Sequence, residues 1–375
     1  MANQEWPVRV TETVLPELKS ILKDQAALDK AWHYETGCIL KAIAQVWLKT
    51  KDERYYRVIE DLIGALVDPE GNIRGYTIEE YNLDQINPGK ILFLLLKQSG
   101  DERYQKALRL LAAQMKGHPR TGEGGFWHKK IYPYQMWLDG LYMAGPFLAE
   151  YAQAFDEPGL YDEVARQLLL AEKRTRDPFT GLLYHGYDES REQKWANPQT
   201  GCSPHFWGRA MGWYAMAVVD ALDYLPVEHP KRGEIIGIFA RMIEALLKVQ
   251  DPATGLWYQV LDQGGRPGNY PEASCSCMFV YAILKGCRLN YLSRNCRIAA
   301  EKGFTGIVQN FVEVGRTGKV TLNSICGCAG LGGNPYRDGS YEYYIQEPVK
   351  ANDYKGLAPF ILAGLEWNNL EFISP

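Results

Sequence analysis

Apolar residues recur at helical spacing along much of this chain. Between residues 54 and 67 they stand at i, i+3, i+4, i+7, i+8 and i+11, which is one face of a helix: Tyr55, Val58, Ile59, Leu62, Ile63 and Leu66. The opening of that segment, Asp52-Glu-Arg-Tyr, returns at Asp101 with similar apolar spacing behind it. The pattern therefore predicts a series of amphipathic helices rather than one isolated helix.

The predicted helices are of two kinds, which alternate along the sequence. Six are apolar on one face, as expected of helices with a solvated side: residues 8–28, 54–67, 104–115, 161–170, 235–249 and 299–314. Six are more uniformly apolar or small-sided, as expected of buried helices: residues 37–48, 84–96, 139–151, 206–222, 274–284 and 357–365. The pair returns at a period of roughly 50 to 70 residues, which indicates a repeat architecture.

A short glycine-containing turn follows most of the amphipathic helices. Its versions are Asp68-Pro-Glu-Gly-Asn, Thr121-Gly-Glu-Gly-Gly, Asp177-Pro-Phe-Thr-Gly, Asp251-Pro-Ala-Thr-Gly and, more loosely, Arg316-Thr-Gly-Lys-Val. Asp, Pro and Gly are residues that end helices and form turns. Each turn thus ends one helix and, in most cases, precedes a loop rich in Trp, Tyr, His and acidic residues. Short hairpins are expected at these turns.

Two concentric rings of six helices account for this alternation. We predict an all-α fold, an (α/α)6 barrel with six inner and six outer helices, formed by residues 1–375 as a single domain. An open α-solenoid is the alternative, and it requires polar capping helices at its ends. Residues 357–365 are too apolar for such a cap, which favours a closed barrel.

In such a barrel, the loops that lead into the inner helices lie at one mouth. The most distinctive of them, within residues 121–147, carries one carboxylate, Asp139, behind a cluster of aromatic residues and at the start of an apolar run. Burying an unpaired charge is costly. Two explanations remain open for Asp139. It is either a charge that the dipole of a helix N-terminus stabilises, or a carboxyl that apolar surroundings keep protonated and ready to donate its proton.

The same mouth is expected to hold further polar residues. Asp84 is a second carboxylate, which either serves as the partner of Asp139 or caps a helix. Arg209 carries the planar fork that suits a sugar carboxylate, and otherwise pairs with a surface acid. His128 and His185 fit the same site, although each taken singly is more readily explained as an ordinary loop histidine.

Composition narrows the function classes. Aromatic residues make up 12% of the chain, with 10 Trp and 24 Tyr, which suits stacking on sugar rings and also suits a large core. Trp207 and Trp213, six positions apart, are therefore either sugar platforms or two separate core contacts. The net charge of −4 argues against nucleic-acid binding. No segment approaches the roughly 18 consecutive apolar residues of a membrane helix.

No basic segment followed by an apolar one stands at the N-terminus, so we expect no signal peptide and a cytoplasmic location. The eight cysteines are then expected to be free thiols. The Cys-x-Cys pairs at Cys275 and Cys326 have a spacing that zinc sites rarely use. We expect no metal, no cofactor, no nucleic acid and no membrane partner, and a monomer or weak homodimer.

Three motifs resemble glycoside hydrolase family 105, above all its unsaturated rhamnogalacturonyl hydrolases: Glu123-Gly-Gly-Phe-Trp-His-Lys, Tyr132-Pro-Tyr-Gln-Met-Trp-Leu-Asp-Gly-Leu-Tyr-Met and Thr200-Gly-Cys-Ser-Pro-His-Phe-Trp-Gly-Arg-Ala-Met-Gly-Trp-Tyr. The resemblance extends from Trp32 to Phe360 and again implies an (α/α)6 barrel. It implies an enzyme that removes 4,5-unsaturated galacturonic acid from the non-reducing end of rhamnogalacturonan (pectin) oligosaccharides. It implies Asp139 as the general acid/base and Asp84 as a second catalytic acid. It also implies a sugar site lined by Tyr34, His128, Trp137, His185, Trp207, Arg209 and Trp213. Residues 321–344 resemble the family poorly.

The chemistry implied by this resemblance needs a single acid. An ordinary glycosidase places two carboxyls on either side of an anomeric carbon. Here Asp139 protonates C4 of a vinyl ether, water that the same residue deprotonates adds at C5, and the hemiketal opens and expels the neighbouring sugar. The acid must be neutral when the substrate binds, and aromatic burial and the charge of Asp84 both favour that form.

Three alternatives remain. One is an unsaturated glucuronyl hydrolase that acts on glycosaminoglycan fragments, and another is a sugar 2-epimerase on the same barrel. The third is a non-catalytic oligosaccharide-binding α-toroid.

Overall fold

The computed structural model describes residues 5–370, most of which lie in helices. In chain order these are α1 (Trp6–Ile21), α2 (Gln25–Leu28), α3 (Tyr34–Thr50), α4 (Glu53–Leu66), α5 (Lys90–Ser99), α6 (Glu102–Gly117), α7 (Leu138–Phe155), α8 (Gly159–Thr175), α9 (Gly208–Ala221), α10 (Arg232–Lys248), α11 (Ala273–Arg288), α12 (Arg294–Phe311), α13 (Tyr341–Gln346) and α14 (Tyr354–Leu370). The strands are β1 (Gln135–Trp137), β2 (Gly186–Asp188), β3 (Val312–Val314), β4 (Val320–Leu322), β5 (Ile325–Cys326) and β6 (Val349–Lys350), which pair as three antiparallel ribbons. Within residues 5–370, no helix combines the length and apolarity needed to span a bilayer.

Six helices form a closed inner ring. Helix α3 packs against α5, α5 against α7, α7 against α9, α9 against α11, and α11 against α14, which returns to α3. The other long helices pack outside this ring, each on at least one inner helix: α1, α4, α6, α8, α10 and α12. The predicted (α/α)6 barrel is confirmed, and the contact between α14 and α3 closes the ring that an open solenoid would leave open.

Burial separates the two rings as the hydrophobic pattern predicted. In inner helix α11, every residue from Ala273 to Gly286 is buried. Outer helix α4 buries one face only, from Tyr55 to Leu66 at the predicted spacing. Because a fully buried Leu, Ile or Phe side chain contributes about 1.5–3 kcal/mol, the inner ring holds a large part of the hydrophobic stabilisation.

Two of the predicted outer helices have wrong boundaries. The predicted helix 8–28 is divided, because α1 ends at Ile21 and the side chain of Asp24 caps the separate helix α2. The predicted helix 299–314 ends at Phe311. Its last three residues are extended and pair with β4 instead.

The predicted inner helix 84–96 begins six residues late, at Lys90. Residues 83–89 form two short 3-10 turns instead, one of which contains Pro88. Proline lacks a backbone N–H and cannot sit inside an α-helix without breaking a hydrogen bond. Asp84 is therefore not the cap of α5. Its own backbone N–H donates to the side chain of Asn82, at 3.0 Å.

The recurrent turns share one backbone feature. Their glycines have φ between 75° and 93°, a region that residues with a Cβ avoid: Gly71, Gly124, Gly181, Gly255 and Gly318. In the third turn, the N–H of Gly181 donates to the carbonyl of Asp177. Single bridges close three of the turns as the expected short hairpins, Val67 to Ile73, Arg120 to Phe126 and Arg176 to Leu183.

The cysteines and potential metal ligands are dispersed. All eight cysteines lie within the described range and are free thiols, as predicted. In the same range, no three His, Cys, Asp or Glu side chains come together as a metal site would require.

Candidate active site

Two short strands bring the loop before α7 beside the loop before α9. Strands β1 and β2 are antiparallel, with Trp137 opposite Gly186. The backbone N–H of Leu138 donates to the carbonyl of His185 at 3.1 Å. Asp139, in the first turn of α7, therefore lies next to the His185 side chain.

Asp139 is the carboxylate at the centre of this site. Its Oδ2 lies 3.2 Å from Nε2 of His185. Both atoms are buried and close enough for a hydrogen bond, but neither forms one with suitable angles. Catalytic hydrogen bonds are often long or misaligned without substrate and become aligned in the complex. The pair is thus a candidate for proton chemistry on a bound molecule.

Asp84 has a different environment, because a cation holds it. Nζ of Lys129 lies 2.6 Å from its Oδ2, and Nε2 of His128 lies 3.7 Å from its Oδ1. Burial alone would raise the pKa of Asp84, but the charge and hydrogen bond of Lys129 and the nearby His128 and His33 together outweigh burial, and the pKa falls below its usual value. Burial lowers the pKa of His128 to about 4, so His128 is neutral at pH 7. Lys129 is therefore the group that keeps Asp84 ionised.

Aromatic rings connect the two carboxylates. His128 stacks on Trp137 with the ring centroids 4.5 Å apart and 16° between the planes. Trp137 meets His185 edge-on at 5.5 Å, and His185 in turn contacts Trp207 at 4.7 Å. The structure thus brings most of the predicted site residues into one continuous group: Asp84, His128, Trp137, Asp139, His185 and Trp207.

Arg209 joins the same group, although most of its donors are already used. Its guanidinium carbon lies 5.0 Å from the centroid of the Trp207 ring. The side chain donates to the carbonyls of Cys326 at 2.7 Å and Gly327 at 2.9 Å, and to Oγ of Ser274 at 3.1 Å. It is fully buried, and its Nε has no hydrogen-bond partner among the described residues. The sequence led us to expect a guanidinium free to bind a sugar carboxylate, whereas in the structure Arg209 also holds the backbone carbonyls of Cys326 and Gly327.

Tyr34 and Trp213 form a neighbouring pair. Their rings meet edge-on with centroids 6.4 Å apart, and Trp213 also stacks on Tyr142 at 5.0 Å. Burial raises the pKa of Tyr34 well above its ordinary value, and the charge of Asp84 adds to that rise. Over residues 5–370, no ring contact joins this pair to Trp207, but the charges of Asp84 and Arg209 both act on the Tyr34 hydroxyl.

The segment that least resembled the family contributes directly to the site. The hydroxyl of Tyr344 lies 2.8 Å from Nδ1 of His185, and its ring stacks on Trp207 at 6.0 Å and 20°. Arg337 donates to the hydroxyl of Tyr132 at 2.9 Å. Sequence reasoning missed Tyr344 and Arg337, because neither stands in a motif and only the fold brings their segment to the barrel mouth.

Lys129 was also missed, although it directly follows His128 within the first motif. Asp84 was expected at the same barrel mouth, and a buried carboxylate needs a cationic partner. The position of Lys129 beside His128 was therefore the sequence signal for this residue.

A second polar region lies away from this group. A cavity of about 360 Å³ is lined by residues from all six inner helices, among them Lys41, Lys90, Glu150, Asp220, Lys285 and Glu366. None of the predicted site residues lines it. Its acids are largely neutralised within the chain, as in the ion pairs of Lys285 with Asp220 and Arg288 with Glu366, each at 2.7 Å. We therefore take the group around Asp139, and not this cavity, as the candidate active site.

Comparison with known proteins finds relatives that match most of this chain. The family model described as Glycosyl Hydrolase Family 88 matches residues 6–370. A solved glycoside hydrolase from family 105, from C. acetobutylicum ATCC 824, is 47% identical with a TM-score of 0.93, covering 97% of this chain and 99% of that one. Protein Atu3128 of Agrobacterium fabrum is 41% identical over 230 residues, which are 60% of this chain and 97% of that protein. The unsaturated rhamnogalacturonyl hydrolase YesR of Bacillus subtilis is 27% identical over 324 residues, 84% of this chain and 86% of YesR.

Proposed function

Because this chain belongs to glycosyl hydrolase family 88 and matches a family 105 structure over nearly all its length, we propose that it removes 4,5-unsaturated galacturonic acid from the non-reducing end of rhamnogalacturonan oligosaccharides. That the chain is a glycoside hydrolase follows from the family. The choice of a pectin-derived substrate is supported by the similarity to YesR.

The observation that carries the proposal is the unequal environment of the two carboxylates. Asp84 is paired with Lys129 and stays ionised. Asp139 has a buried oxygen without an aligned hydrogen bond, beside His185. A conventional glycosidase uses two carboxyls in complementary roles. One unpaired carboxyl beside one fixed carboxylate suits a reaction in which a single residue gives and then recovers a proton.

The reaction then proceeds from Asp139 in its protonated form. Asp139 gives its proton to C4 of the substrate as the C4=C5 double bond breaks, which leaves a positive charge shared by C5 and the ring oxygen. The Asp139 carboxylate next takes a proton from water as the water oxygen bonds to C5. The hemiketal opens with cleavage of the bond between C5 and the ring oxygen, giving a ketone at C5 and a hemiacetal at C1. The hemiacetal releases the neighbouring sugar, so one water is consumed and Asp139 regains its proton.

The surrounding residues take supporting roles in this proposal. The faces of Trp137 and Trp207 suit stacking on a sugar ring. The free Nε of Arg209 is a charged donor available to the uronate carboxylate. Tyr34, His128, His185 and Trp213 complete the proposed sugar site.

The test follows the double bond and the solvent atoms. The enzyme is given an unsaturated rhamnogalacturonan disaccharide, and ultraviolet absorbance of the conjugated alkene is recorded together with sugar release. We expect the two signals to change in step and, in heavy water, deuterium to appear at C4 of the released product. Release of an intact unsaturated sugar without deuterium would mean attack at C1 and would remove Asp139 from this role. Faster turnover of an unsaturated glycosaminoglycan disaccharide would instead favour the glucuronyl hydrolase.

A further inference from the structure

We propose that Tyr344 is a positioning residue, which holds His185 in the tautomer that presents an N–H to Asp139. The consequence for catalysis rests on the proposed role of Asp139. The tautomer itself is a property of the protein without substrate and can be measured on its own.

The side chains of Tyr344, His185 and Asp139 follow one another at the centre of the site. The Tyr344 hydroxyl lies 2.8 Å from Nδ1 of His185, and Nε2 on the other side of the same ring lies 3.2 Å from Oδ2 of Asp139. Both Tyr344 and His185 are fully buried. A neutral imidazole carries one proton, so whatever occupies Nδ1 decides what Nε2 offers to Asp139.

The direction of the hydrogen bond follows from the hydroxyl. Burial raises the pKa of Tyr344 well above its ordinary value, so the hydroxyl keeps its hydrogen at any working pH. Within residues 5–370, this hydroxyl forms its hydrogen bond with Nδ1 of His185. A buried hydroxyl that accepted from Nδ1 would leave its own hydrogen unsatisfied, at a cost in free energy. The favoured arrangement is therefore Tyr344 as donor, Nδ1 as acceptor and the imidazole proton on Nε2.

Tyr344 is itself held from two sides. Its carbonyl accepts a hydrogen bond from Nε2 of Gln259 at 3.0 Å, and Oε1 of Gln259 accepts from Nε1 of Trp207 at 3.1 Å. The ring of Tyr344 stacks on that same Trp207. The position of the hydroxyl is thus fixed by the aromatic wall of the site and not by a free loop.

This tautomer suits the proposed reaction. When Asp139 gives its proton to C4, a negative charge develops on its carboxylate, and an N–H at Nε2 of His185 stabilises that charge as it forms. The opposite tautomer would present a lone pair to Asp139, which would hold the proton on the acid and oppose its release. Ionisable groups that face His185 include Asp139, Tyr344 and His128, and His128 is neutral at pH 7.

The direct test is ¹⁵N NMR of the full-length protein labelled at its six histidines, recorded at pH 8.5 without substrate. The His185 resonances are assigned by their loss in His185→Gln. We expect the wild type to carry its proton on Nε2, with Nδ1 shifted as a hydrogen-bonded acceptor. In Tyr344→Phe, a substantial fraction of the imidazole proton should move from Nε2 to Nδ1. A proton on Nδ1 in the wild type, or a proton that stays on Nε2 in Tyr344→Phe, overturns the proposal.

Tyr214→Phe is the matched control. Tyr214 is also fully buried, and its hydroxyl donates to the carbonyl of Leu168 at 2.7 Å, outside the candidate site. Its loss should lower stability to a similar extent and leave the His185 resonances unchanged.

The kinetic consequence is measured on the unsaturated disaccharide. Tyr344→Phe should lower kcat about tenfold, the effect of losing one hydrogen bond in the transition state, and change KM less than about twofold. The control should retain wild-type kcat, and an equal fall in kcat for both variants would overturn the positioning role. If the proposed function is wrong, the wild type will not turn over the unsaturated disaccharide. The NMR measurement needs no substrate, so it tests the role of Tyr344 independently of that result.

Discussion

Replacing Lys129 with Met should reverse the direction in which the ionisation of Asp84 makes the stability of the fold depend on pH. Nζ of Lys129 lies 2.6 Å from the Asp84 carboxylate, and the two side chains are 23% and 14% exposed. Burial raises the pKa of Asp84, and Lys129 provides the main opposing charge, because His128 is neutral at pH 7. Without Lys129, the pKa of Asp84 should lie above its ordinary value instead of below it.

The sign of the pH dependence follows from these directions. In the wild type the folded pKa of Asp84 is lowered, so the carboxylate contributes stability above the unfolded value of about 4, and this is lost as the pH falls through the folded pKa. In the variant the folded protein holds the proton more tightly than the unfolded chain. Its stability should therefore decline as the pH rises from about 4 through the raised pKa.

The magnitude lies between two limits. Exposed ion pairs contribute at most about 1 kcal/mol, and removing one partner of a fully buried pair costs about 3–5 kcal/mol. The partial burial of this pair places the expected loss at about 2 kcal/mol at pH 7.5, and at less than half of that near pH 4.

Urea unfolding at both pH values measures this loss, with Lys130→Met as the control. Lys130 is the next residue along the chain and is exposed. The control should lose less than about 0.5 kcal/mol at either pH. A loss that is equal at the two pH values, or that the control reproduces, would refute this account of Asp84.

Three further outcomes are expected. Asp139→Asn should lower kcat by about 10²–10⁴ without changing the circular dichroism spectrum, because the amide cannot give up a proton; near-normal turnover would remove Asp139 from catalysis. Arg209→Lys should raise KM and also lower the melting temperature, because this arginine bonds two backbone carbonyls; an unchanged KM would separate it from substrate binding. Gly318→Ala should lower the free energy of unfolding by about 1–2 kcal/mol, whereas Gly237→Ala should raise it by up to about 1 kcal/mol, as measured by thermal unfolding. An alanine Cβ meets nothing within 4 Å at either position, and Gly318 alone of the two has a positive φ, +83°, so effects of the same sign would contradict the argument.

Helix periodicity predicted the ring to which each long helix belongs. A helix that is apolar all round, such as α11, has no stable place except inside the outer ring, so its pattern alone determines its position. The start of α5 was wrong for a local reason. Apolar spacing continues backward from Lys90, but the backbone around Pro88 forms 3-10 turns, which the spacing of apolar residues does not distinguish from an α-helix.

The motifs identified the family, and the comparisons confirm it. The contacts within the site needed the fold. Asp139 meets His185 because β1 pairs with β2, and such three-residue strands have almost no sequence signature. Tyr344 approaches the same histidine from a segment that no motif covers. In each case the information lies in the pairing of distant loops, which the pattern along one segment does not contain.

The pairing of Asp84 with Lys129 changes the account of how Asp139 could hold its proton. From the sequence, the charge of Asp84 was expected to favour the neutral acid. In the structure, Lys129 compensates most of that charge at 2.6 Å, so its effect on a neighbouring carboxyl is weakened. In the proposed reaction, the carboxylate of the substrate itself brings a second negative charge to the site. A bound anionic substrate would favour protonation of Asp139 at the moment when a proton is needed, because like charges repel. By the same reasoning, an uncharged sugar in the site would leave Asp139 without that help, so the uronate carboxylate would contribute to the acid step as well as to binding.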